Sequence, residues 1–245
     1  MKKYFIIIVM FIAINLAAVD YLDINFFVDP QFDFENSNLV NFQIKNLAND
    51  SIPQITILSG DILSGGNADS LVINFLNKVK PNLALPTDYH FEQADIQFPL
   101  LATNISSDSL NMITNKIIHS DSISVGFLGI YSPDFSVKND LGAEMNFHTF
   151  ELIEKYSKVL AEKVDVVILV SALGKYIDAD AVKGLPIDYV LSFDYMNTRA
   201  QRFYNRTSFF SIRSSNGDFG KLRLIYKDGK VSHDWIKTKL PNIEE

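Results

Sequence analysis

The stretch Ala161–Gly174, AEKVDVVILVSALG, decides the fold. Val164–Val170 is the clearest strand in the chain, since β-branched and aliphatic residues dominate it. The run before it, Phe147–Lys163, has Phe150, Ile153 and Leu160 on one face and predicts a helix. After it come the small residues Ser171-Ala172-Leu173-Gly174, a short helix over Asp178–Lys183 and a strand over Tyr189–Leu191. Helix, strand, loop, helix and strand in this order make an α/β unit.

The same pattern extends outward. Ile24–Val28, Gln54–Leu58, Leu83–Leu85, Leu100–Ile105 and Ile123–Ile130 read as strands. Ala68–Val79 reads as a helix, with Leu71, Phe75 and Val79 four apart and Val72 and Leu76 beside them. From Ser208 the text changes to SFFSIR, Ser215-Asn216-Gly217-Asp218, KLRLIY and Asp228-Gly229, an antiparallel hairpin series. The expected class is α/β with mixed sheets and a β-rich end.

Composition narrows the function. The 245 residues are 47% hydrophobic and 21% charged, which is ordinary for a globular domain. The net charge is −7 and no basic run follows Lys3, which argues against nucleic acid as a partner. The absence of cysteine excludes disulfides and thiolate metal sites. Lys2 and Lys3, the apolar run Phe5–Ile14 and the small residues to Ala18 have the layout of a signal peptide. The expected organisation is a signal peptide over 1–18 and a single domain over 19–245, exported to the periplasm or cell envelope. Membrane association is expected only if the first segment stays uncleaved.

Ligand sites in open α/β sheets collect at the carboxyl ends of strands. The strands deliver Val28-Asp29-Pro30-Gln31, Ser59-Gly60-Asp61, Thr87-Asp88-Tyr89-His90, Ser171-Ala172-Leu173-Gly174 and Ser192-Phe193-Asp194-Tyr195-Met196 there. Four of the five loops carry an aspartate, more than turn formation alone explains. Other chemistry is weaker. His119 and His148 are read on helical or loop segments without ligand partners, and His233 beside Asp234 as a surface pair. Ser59 and Ser171 have no base at hand in the sequence. SGDILSGG lacks the ending of a phosphate-binding P-loop.

The order of these loops resembles the metallophosphoesterase (calcineurin-like) domain of secreted bacterial 5′-nucleotidases. SGDILSGG, FPLLATNI, VGFLGIYSPD, AEKVDVVILVSALG, GLPIDYVLSFDYM and NGDFGKLRLIYKDGKV resemble successive segments of that domain, from about Asp23 to Val231. The resemblance implies a metallophosphoesterase-like sandwich of mixed β-sheets flanked by helices. It also implies a two-metal site, whose ligands carry over incompletely. Asp29 and Asp61 match, but Gln31 stands where a histidine belongs, and Asp88 replaces the ligand asparagine. Tyr89 replaces the catalytic histidine, with His90 one place late. Ala172 replaces the histidine of the fourth block, and Asp194 and Met196 replace both of the fifth.

No catalytic residue is therefore expected, and no cofactor. The expected role is that of a pseudoenzyme binding an unknown protein or small molecule. The alternative is a divergent phosphohydrolase whose Asp29, Gln31, Asp61, Asp88 and Asp194 hold calcium, magnesium or manganese, the cations that oxygen donors suit. The resemblance also implies a second, nucleotide-binding domain, which does not follow before Glu245. A separately encoded domain of that kind is a candidate partner.

Overall fold

The computed structural model describes residues 19–28, 51–60, 69–86, 96–107, 110–132, 143–193, 199–203, 207–212 and 219–238. The first part of the chain contributes β1 (Asp20–Val28), β2 (Gln54–Gly60), helix α1 (Asp69–Val79), β3 (Leu83–Pro86) and β4 (Leu100–Leu101). Short strands follow, β5 (Ile105–Ser107), β6 (Met112–Ile113) and β7 (Asn115–His119), then β8 (Ser124–Ile130) and β9 (Ala143–Met145). Next come α2 (Thr149–Ala161), β10 (Val166–Ser171), α3 (Lys175–Ala181) and β11 (Tyr189–Phe193). The end is all β: β12 (Arg199–Phe203), β13 (Thr207–Ile212), β14 (Phe219–Lys227) and β15 (Lys230–Thr238).

Two sheets form. The first runs β15-β14-β1-β2-β3-β4-β6, and the second β12-β13-β11-β10-β8-β7; β5 and β9 pair separately. Each sheet is parallel at its centre. In the first, β1, β2, β3, β4 and β6 run together, with β14 and β15 antiparallel at one side. In the second, β8, β10, β11 and β13 run together between antiparallel β7 and β12. Parallel strands covered on both faces need apolar residues on both. β10 meets this requirement, as all six of its residues are buried.

Alternation along the strands sorts these residues into layers. Ile24, Phe26, Ile57, Val125, Ile168, Val170 and Leu191 share the core between the sheets. Phe27 and Leu58 point the other way and pack against Val72, Ile73 and Leu76 of α1. Leu128, Val167, Leu169 and Val190 meet Ile153 and Leu160 of α2 and Ala179 of α3. The architecture is thus a sandwich of two mixed sheets with helices outside, as the resemblance implies.

Several sequence expectations need correction. SFFSIR does not open a hairpin with KLRLIY. β13 lies parallel to β11 in the second sheet, while β14 pairs with β1 in the first. Thr207–Phe210 are all buried, so β13 gains more from a covered parallel position than from an open hairpin. The Asp228-Gly229 turn does form: φ values of 52° and 74° suit the two-residue turn that joins β14 to β15. Leu100–Ile105 is no single strand, because the chain leaves the sheet after Leu101. Phe150 and Leu71 are both half-exposed, and Thr149 and Ser157 are buried on α2 instead. His119 ends a strand, β7.

The outer face of β1 carries buried polar groups. Asp23 is fully buried, and Arg223 grips it with Nε at 2.7 Å from Oδ1 and Nη2 at 2.9 Å from Oδ2. The Lys221 ammonium lies 3.1 Å from the same carboxylate. Burial pushes the Asp23 pKa up, but these two cations outweigh it and hold the net value below the ordinary carboxylate range.

Candidate functional site

Within each sheet the carboxyl ends of the parallel strands line up as a rim. In the first sheet Val28 lies opposite Ser59 and Gly60 opposite Pro86, so β1, β2 and β3 end side by side. In the second, Ser171 lies between Ile130 and Ser192. In the sequence Asp29, Asp61 and Asp194 directly follow Val28, Gly60 and Phe193, and Asp88 comes two residues after Pro86. Asp29, Gln31, Asp61, Asp88, Tyr89, His90, Asp194 and Met196 themselves lie outside the described residues, as does the 1–18 segment.

A seam between the end of β4 and β8 joins the two sheets. The Thr103 N–H donates to the Gly129 carbonyl at 2.7 Å, and the Gly129 N–H donates to Thr103 Oγ1 at 3.1 Å. Next to it, buried Asn104 acts as a strand partner for Tyr131. Its Oδ1 accepts the Tyr131 N–H at 3.0 Å, and its Nδ2 donates to the Tyr131 carbonyl at 2.9 Å. Nδ2 also lies 3.4 Å from Thr149 Oγ1, which ties the start of α2 to the seam. Neither Thr103 nor Asn104 stood out in the sequence, because nothing local marks a polar residue that bonds across a sheet boundary. Asn104→Ala strands two backbone groups in a buried place, and a loss of about 2 kcal/mol is expected in urea unfolding. A loss under 0.5 kcal/mol would show that water satisfies the seam instead.

The described part of the rim shows how the fourth block is built. Ala172 belongs to the inter-sheet core that also holds Val170, Tyr131 and Val28, at the position where the resemblance expects an imidazole. A methyl group has no lone pair for a cation. Ser59, two residues past Ile57 on the same face, is fully buried and its hydroxyl has no partner. Among the described residues no three histidine or acidic side chains converge on a metal-sized space. The residues present at the fourth block therefore do not fit an imidazole-ligated metal centre.

Ser171 points the other way, into the helix layer. The sequence placed no base beside it, yet the structure brings Asp178 to it: the hydroxyl donates to Asp178 Oδ1 at 2.5 Å and accepts the Leu173 N–H at 3.1 Å. Asp178 is fully buried, and burial pushes its carboxyl up to about 7, against the lowering effect of the Ser171 hydrogen bond. Both groups are shut away from the rim, so the pair is no exposed nucleophile and base. Among the described residues the histidines join no group of three metal-ligating side chains. His148 pairs with Glu151 at 2.8 Å on the surface. His233 is exposed but does not pair with Asp234 as the sequence suggested. Its Nδ1 lies 3.1 Å from the Tyr189 hydroxyl, and its ring meets Phe210 edge-on.

Among solved structures, a putative 5′-nucleotidase from Staphylococcus aureus, crystallised with alpha-ketoglutarate, superposes over 92% of this chain with a TM-score of 0.72 at 15% identity. The fold is that of the 5′-nucleotidases. A 5′-nucleotidase from Candida albicans matches 89% of the chain with a TM-score of 0.57 at 11% identity. This 5′-nucleotidase-fold chain spans about half the length of those enzymes, 55% and 51% of them. GAP50, described as the anchor in the inner membrane complex of Plasmodium, matches 92% of the chain and is itself covered over 90%, with a TM-score of 0.53 and 13% identity. No protein-family model matches the sequence, and no curated protein does. A fold kept at such identities rests on the pattern of buried positions rather than on particular residues.

Proposed function

We propose that this chain is an exported, non-catalytic protein of the 5′-nucleotidase fold that works as a binding or envelope-interaction module. The observation that carries this reading is Ala172, whose methyl fills the inter-sheet core at the position of a ligand histidine. Gln31, Tyr89, Asp194 and Met196 extend the same loss along the sequence. Tyr89 is a poor proton donor at neutral pH, with an ordinary pKa of about 10. The likeness to GAP50, an anchor by its description, supports a role in which the fold serves as a surface. Among the described residues no helix is long and apolar enough to cross a membrane. A protein or small molecule is the ligand class, with a separately encoded nucleotide-binding domain as one candidate.

A second reading has its own support. β1, β2 and β3 end side by side, and an aspartate follows each within two residues. Carboxylates gathered in one place repel, and a hard cation held by oxygen relieves that repulsion. In this reading the chain is a divergent metal-dependent phosphoric ester hydrolase using calcium, magnesium or manganese.

One assay separates them. The protein is incubated with an aryl phosphate and with nucleoside monophosphates, in the presence of each of the three cations. No turnover above buffer is expected, with no shift in melting temperature on adding millimolar cation. Turnover that Asp61→Asn abolishes would replace the first reading with the second. Cell fractionation checks export, with the mature protein expected outside the cytoplasm.

A further inference from the structure

Asp178 has no part in the proposed binding role, and its surroundings are unusual for an acid. It is fully buried, and its neighbours along the chain Leu173, Ala179 and Val182 belong to the apolar layer on the helix side. One oxygen has the Ser171 hydroxyl, and the other, Oδ2, has no partner. Among the described side chains, the charged residues nearby face elsewhere. Asp180 and Lys183 are on the exposed side of the segment, and Asp188 Oδ2 accepts the Val167 N–H at 2.8 Å. On α2, His148 and Glu151 pair with each other at the surface. A carboxylate so placed, with one hydroxyl and, among the described side chains, no cation beside it, cannot stay both ionised and buried without a large penalty.

What can yield is local. α3 has seven residues, too few to stand without its packing. Its exposed side shows Tyr176 and Ile177, and its buried side is held by Ala179, Ala181 and Asp178. Gly174, at φ 88°, forms the joint before it. We propose that α3 and the loop 172–174 before it form a proton-controlled latch, docked while the Asp178 carboxyl is neutral and released when it ionises. Release would free Ala172 and Leu173 at the rim and uncover the apolar side of α3.

The direction follows from linkage. The docked carboxyl titrates near 7, and a released one near the ordinary 3.8. Docking is therefore fully favoured below the lower value. It weakens about tenfold per pH unit between the two and levels off above the upper one. Hydrogen exchange by mass spectrometry or NMR reads this directly, after correction for intrinsic rates. The reporters are the amides of Leu173, bonded to Ser171 Oγ, and of Val182, bonded to the Asp178 carbonyl. Between pH 5 and 7.5 their protection is expected to fall at least tenfold, while that of Asp23, bonded to the Pro53 carbonyl, does not follow.

Asp178→Asn should make the two reporter amides insensitive to pH over this range. Ser171→Ala removes the hydrogen bond that favours the ionised form and also the acceptor of the Leu173 amide, so Val182 alone is its reporter, and the fall in Val182 protection should extend to higher pH. The latch is overturned if wild type and Asp178→Asn run parallel, or if Asp23 falls together with the reporters. Should Asp178→Asn not fold, an unchanged window in Ser171→Ala overturns it equally.

Discussion

Gly129→Ala is expected to destabilise the protein by about 3 kcal/mol or more, the upper end of what overpacking costs. An added Cβ would stand 2.4 Å from the Leu101 carbonyl oxygen and 2.8 Å from the Leu101 carbonyl carbon. Those are backbone atoms of the neighbouring sheet, so no rotamer change relieves the contact. Either β4 moves away from β8, or β8 shifts along β10, and each breaks part of the Thr103 and Asn104 seam. Gly126→Ala in the same strand is the control. Its new Cβ would meet the Leu160 and Val164 side chains at 3.1 Å and beyond, and those methyl groups can give way. Denaturant unfolding of both variants is the measurement. Equal losses would mean that the sheets are less closely joined at Gly129 than the distances require.

The second large effect concerns Asp23. Arg223→Ala leaves a fully buried carboxylate with only Lys221 beside it, and the expected cost is about 3 kcal/mol, the lower end for breaking a buried pair. An exposed pair would lose under 1 kcal/mol, and a loss of that size would show that water reaches Asp23. The pH dependence has a definite sign. The folded Asp23 pKa is held below its unfolded value, so the contribution is present above about pH 4 and disappears as pH falls through the folded value. Arg223→Ala should shrink this acid-side loss, because the folded pKa then rises. The double variant Asp23→Leu with Arg223→Met should recover much of the stability, since apolar groups of similar size can replace a buried pair. Melting temperatures of the wild type and the two variants between pH 3 and 7 decide the point.

The two acids work in opposite directions. The Asp23 contribution is complete above about pH 4, whereas the Asp178 contribution is complete below the ordinary 3.8 and is lost as pH rises to about 7. The two together should therefore be most favourable near pH 4.

Much of this was legible in the sequence. Val164–Val170 announced a covered strand because its apolar residues occupy both faces, and the loops after the strands marked the rim. The resemblance to 5′-nucleotidases rested on that order and agrees with the observed fold. Other features were not legible, for reasons that lie in distance along the chain. Ser171 and Asp178 are seven residues apart and meet only because a loop turns α3 back onto β10. Arg223 reaches Asp23 across 200 residues. Asn104 looks like any loop asparagine until Tyr131 is placed beside it. The Asn216-Gly217 turn signal suggested a hairpin because local turn chemistry is silent about which sheet the next strand joins.

The sequence by itself determined the layer pattern, through the alternation of apolar residues, and it determined the absence of an imidazole at position 172. Only the tertiary structure decided that Ala172 faces the inter-sheet core while Ser171 faces the helices. It also decided that β13 joins the second sheet beside β11 while β14 joins the first beside β1. Burial and hydrogen bonding depend on what lies across a strand or a sheet boundary, and neighbours in sequence do not supply that.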